Sequence, residues 1–105
     1  MKWRKDWKGV KGYHHDGMRV WRARGCPLVV TYTCRLGRCR RGFWAIVHEA
    51  TRCEVALWVN PSDLRKLAEM VAKAVGKDGS VNDYQRESER CREFLRGFGY
   101  FGGPR

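Results

Sequence analysis

A chain of 105 residues has room for one domain with a modest core, and its 43% hydrophobic content argues against disorder. The net charge of +11 is unevenly spread: residues 1–52 carry 13 Lys and Arg against Asp6, Asp16 and Glu49, a net +10, while residues 53–105 carry nine against eight. A near-neutral half joined to a strongly basic half describes a scaffold plus a binding surface for something negative, whether nucleic acid, an acidic protein or an anionic membrane.

No run approaches the roughly 18 apolar residues of a spanning segment. Met1 to Lys8 starts positive but lacks the apolar stretch of a secretory signal, so the expected location is cytoplasmic, without membrane contact. The five cysteines are an odd number at irregular spacings. In a reducing compartment they read as free thiols, mostly packed as small hydrophobes.

Residues 1–17 form a basic, aromatic N-terminal arm that interleaves Trp3, Trp7 and Tyr13 with Lys2, Arg4, Lys5, Lys8 and Lys11. Gly9, Gly12 and Gly17 argue against a long regular element here. Cations beside flat rings suit single-stranded nucleic acid, since ammonium groups meet phosphates while bases stack on indoles at about 1–3 kcal/mol each. The competing reading is an arm whose tryptophans cover an open edge of the core. His14-His15-Asp16 reads as an exposed turn, because adjacent histidines on a strand point to opposite faces.

Residues 18–59 read as antiparallel strands. Met18 to Arg24 is the first, with an imperfect period that a bulge near Val20-Trp21 would repair. If it runs straight, Arg22 and Arg24 share a face and extend the basic surface. As an edge strand it could also pair with a second copy to make a homodimer. After Gly25-Cys26-Pro27 comes Leu28 to Cys34, which alternates Leu28, Val30, Tyr32 and Cys34 with Val29, Thr31 and Thr33, the period of a half-buried strand. Phe43 to His48 is apolar on both faces. Between them Arg35-Leu36-Gly37-Arg38-Cys39-Arg40-Arg41-Gly42 places four arginines on one turn, where burial without partners is ruled out. Glu49 to Arg52 connects to a last strand, Cys53 to Val59, and such short connections imply a meander.

Asn60-Pro61-Ser62-Asp63 is a strong helix start, with Asn60 as cap, Pro61 in the first turn and Asp63 reaching back. The helix is expected over 61–75, with Leu64, Leu67, Ala68, Val71 and Val75 facing the sheet and Gly76 closing it. Arg65, Lys66, Glu69 and Lys73 take the other side. A second helix, capped by Ser80 with Asp83, is expected over 81–96. Its stripe of Tyr84, Ser88, Cys91 and Leu95 is thin, so it should lie on the surface or reach a partner and add little core. Residues 97–105 are a Gly/aromatic tail. The fold class is therefore α+β: about four antiparallel strands covered by one helix, then a charged helix.

Two chemical constellations were weighed against the basic surface. Cys34, Cys39, His48 and Cys53 make an imaginable metal set, but no second close ligand pair follows the first, as structural zinc usually requires. A cysteine nucleophile with His48 as base lacks an orienting group and donors for developing charge. The chain is therefore read as non-catalytic and cofactor-free. The leading function is nucleic-acid binding through Arg35, Arg38, Arg40 and Arg41, extended by Arg22, Arg24, Lys5, Lys8, Lys11, Trp3 and Trp7. If about six of these meet phosphates, the log–log salt slope should be roughly −4 to −5. The runner-up is a small adaptor or inhibitor, of the kind viruses encode, docking on an acidic or nucleoprotein partner.

Overall fold

Strand-forming residues with matched alternation zip the centre of the sheet together. In the computed structural model, which describes residues 1–10, 20–33, 43–58 and 61–97, β3 (Leu28–Thr33) pairs with β4 (Phe43–His48) over all six residues, from Leu28 opposite His48 to Thr33 opposite Phe43. On its far side β4 pairs with β5 (Cys53–Trp58), and β3 pairs with β2 (Val20–Ala23). A further strand, β1 (Trp3–Asp6), pairs with β2 from Trp3 opposite Ala23 to Asp6 opposite Val20. The sheet is thus a five-stranded antiparallel meander in sequence order.

This places a strand inside what the sequence reads as an irregular arm. It also moves the edge of the sheet: β2 lies between β1 and β3, so the homodimer expected through Met18 to Arg24 has no open edge there. The expected bulge is displaced as well. It falls between β4 and β5, where Ile46 pairs with Ala56, Val47 pairs with Glu54 and Val55 is the extra residue.

Two helices follow, α1 (Pro61–Val75) and α2 (Val81–Gly97). Leu64, Leu67, Ala68 and Val71 of α1 are buried with Leu28, Val30 and Ile46 on one face of the sheet. Full burial of each Leu, Ile or Val side chain among them contributes about 1.5–3 kcal/mol. Gly76 takes φ +92°, the left-handed conformation that ends α1, and its N–H donates to the Ala72 carbonyl at 2.8 Å. Ser80 and Asp83 then exchange a reciprocal pair of bonds, Ser80 N–H to Asp83 Oδ2 at 3.2 Å and Asp83 N–H to Ser80 Oγ at 3.1 Å.

The thin stripe of α2 is more central than its composition implies. Tyr84, Ser88 and Cys91 are all buried, and Tyr84 is the largest fully buried side chain among the described residues. Its hydroxyl donates to the Gly76 carbonyl at 2.6 Å, and its ring lies 5.5 Å from that of His48. One aromatic ring anchors α2 to both α1 and the sheet.

The opposite face of the sheet is also buried. Val20, Val29, Ala45 and Val47 cluster there with Val10, which follows β1, and Leu57 packs against them. Val29 and Thr31 are each 1% exposed, so β3 is buried on both faces rather than half-buried.

Candidate nucleic-acid interface

Alternation along β1 and β2 sorts their side chains by charge. Lys2, Arg4 and Asp6 share a face with Val20, Arg22 and Arg24, while Trp3 and Lys5 share the helix-covered face with Trp21 and Ala23. Arg4 stands directly across from Arg22. An open groove of about 690 Å³ runs over this corner of the molecule, and its charged lining is Lys2, Arg4, Arg22, Arg24 and Glu49, with Cys26 and Val29 among the rest.

Arg22 is fixed by partners from two separate segments, residues 6–9 and Glu49. Its Nε donates to both Glu49 oxygens at 3.2 Å and its Nη2 to Glu49 Oε2 at 2.5 Å. Nη1 donates to Asp6 Oδ2 at 3.0 Å and to the Lys8 carbonyl at 2.5 Å, while Nη2 also meets the Gly9 carbonyl at 3.4 Å. A guanidinium has five N–H donors, and here all five have acceptors. The Glu49 hydrogen bonds hold the Arg22 proton more firmly than usual. The Asp6 carboxyl is held below the ordinary carboxylate range, chiefly by the Lys8 N–H and then by Arg22. Arg22 is therefore a bracket that fastens the 6–9 segment and delivers Val10 to the second core. The sequence places Arg22 among the phosphate contacts; in the structure its five N–H groups are bonded within the chain.

Arg24, Lys2, Arg4 and Lys8 are exposed. Counting Lys2, Arg4, Lys8, Arg22 and Arg24 against Asp6 and Glu49, the cluster keeps three net positive charges. The strand expected to run straight to Arg24 ends at Ala23, so Arg22 lies on its face and Arg24 in the following turn, where it still lines the groove. Lys2 and Arg4 join them from β1, and only the pairing of β1 with β2 reveals that.

The tryptophans divide differently. Trp3 packs against the helix-side core and donates its indole N–H to Glu69 Oε2 at 2.7 Å, so it anchors the strand to α1 and does not offer a free stacking face. Lys5 places its ammonium 5.2 Å from the Trp21 ring centre, and the Arg65 guanidinium lies 4.0 Å from the same centre. Both cations are held by the ring's negative face. Trp7 is 71% exposed. Tyr32 and Trp44 meet edge to face at 5.6 Å on the helix side.

Arg35, Arg38, Arg40, Arg41 and Lys11 lie outside the described residues, as do Cys34 and Cys39. His48 and Cys53 do face each other across β4 and β5. However, His48 Nδ1 sits 2.8 Å from Thr51 Oγ1, and the Cys53 thiol donates to the Thr51 carbonyl. Thr33, the residue before Cys34, pairs at the far end of β4 from His48, about 17 Å away along the strand. Cys34 and Cys39 themselves lie outside the described residues, and among the described residues no group of three metal-ligating side chains comes together. Burial raises the thiol pKa of Cys26 and of Cys91, which makes both poor nucleophiles. Compared with protein-family models, curated proteins and solved structures, the chain matches none.

Proposed function

We propose that this protein binds nucleic acid without catalysis, using the basic corner of β1 and β2 together with the arginine turn between β3 and β4. The observation that carries the reading is the groove where Lys2, Arg4 and Arg24 stand exposed while the neighbouring carboxylates are occupied by Arg22. A concentration of uncompensated cations on one face attracts phosphates and makes the affinity salt-dependent. In this reading Arg35, Arg38, Arg40 and Arg41 are a second contact region; they fall in sequence between Thr33 and Phe43, which pair at the end of β3 and β4 away from Glu49.

Fluorescence anisotropy with labelled DNA and RNA oligonucleotides at two salt concentrations tests it. Binding that weakens steeply with salt is expected, and Arg38→Glu with Arg40→Glu should abolish it while leaving the thermal transition nearly unchanged. Absence of binding to any oligonucleotide at low salt would contradict the reading. It would favour an adaptor docking on an acidic partner, for which the outer face of α2, with Asn82, Gln85, Arg86 and Glu89 around an open groove of about 510 Å³, offers charge of both signs.

A further inference from the structure

Resting on that reading, we infer that the β1–β2 groove grips the sugar–phosphate backbone of a duplex and does not take stacked single-stranded bases. Lys2 and Arg4 lie two residues apart at the start of the chain, and Arg24, in the turn after β2, lines the same groove, while Arg22 between them is already committed to Asp6 and Glu49. Three exposed cations lining one groove suit phosphate contacts, which position a nucleic acid without themselves reading its sequence.

Trp7 is exposed but does not line the groove, and four other rings are committed elsewhere. Trp3, the groove's one aromatic, is fixed by Glu69 and the core, while Trp21, Tyr32 and Trp44 belong to the helix-covered side. Without stacking, affinity depends on phosphate density. A duplex carries one charge per ~1.7 Å, and each neutralised phosphate contributes about 0.9 to the salt slope, against about 0.7 for a single strand. The duplex is therefore the better ligand for this surface, and it should be bound regardless of sequence.

The test uses the full chain with a duplex, its two separated strands and a duplex of unrelated sequence, each titrated at 50 and 200 mM salt. Both duplexes should bind equally, and more tightly than either strand. The variant Lys2→Ala/Arg4→Ala/Arg24→Ala should fold normally, with a salt slope shallower by about 3. Its affinity loss over that salt range should be smaller than that of the original protein by roughly 40-fold. Trp7→Leu should leave binding unchanged. Preferential binding of a single strand, or a strong loss in Trp7→Leu, would overturn the duplex assignment while leaving nucleic-acid binding intact. Duplex binding untouched by the triple variant would overturn this groove as the site. No binding to any of the oligonucleotides would remove the broader reading, and this one with it.

Discussion

Arg22 shows how a residue's composition and its role diverge. As one of 22 basic residues it reads as part of a charged surface, yet its side chain is 15% exposed and bonded to two carboxylates and two carbonyls. Removing it would leave Asp6 and Glu49 facing each other and free the segment that carries Val10. Charge-assisted bonds of this kind are worth about 1.5–3 kcal/mol, and Arg22→Ala is expected to lower the unfolding free energy by about that amount in urea titrations. The sign of the pH dependence follows from Asp6. Its folded pKa lies below its unfolded value, so the associated stability is present at neutral pH and is lost as the pH falls below about 4. The gap between Arg22→Ala and the original protein should narrow on acidification through that window, and a gap that widened would refute the bracket.

Among the elements, those with a long internal signal were legible and those defined by a neighbour were not. The alternation of β3, the apolar run of β4 and the reciprocal Ser80–Asp83 cap each follow from residues adjacent in sequence. Trp3-Arg4-Lys5-Asp6 contains one apolar residue and becomes a strand only because β2 offers a ladder, so nothing local announced it. Likewise α2 looked peripheral because its stripe is narrow. A single fully buried tyrosine, bonded back to the end of α1, gives it a place in the core. The joint between the helices is correspondingly tight. A Cβ at Gly79 would lie 2.1 Å from Val75 Cγ1 and 3.2 Å from the Tyr84 ring. Gly79→Ala is therefore expected to destabilise by about 1–3 kcal/mol in urea titrations, with part of that loss relieved when Val75→Ala is added. Equal stability of Gly79→Ala and the original chain would mean that this joint is looser than described.

Across the whole molecule, the sheet is covered on both faces, and the two sides are put to different uses. The helix side gathers the aromatics and most of the core, while the other side buries a smaller valine cluster and carries the cations of β1 and β2 at its margin. The charge asymmetry of the sequence thus becomes a spatial one: the near-neutral second half supplies both helices and β5, and the basic first half supplies the exposed corner. Which basic residues share that corner depended on strand register, and no reading of the sequence in isolation supplies the pairing of Arg4 with Arg22. We propose this corner as the ligand-facing surface. Backbone amide shifts recorded by NMR during titration with a short duplex test it most directly. Residues 2–5 and 22–26 should move together while residues 81–91 of α2 stay in place; shifts confined to α2, with β1 and β2 unmoved, would contradict it.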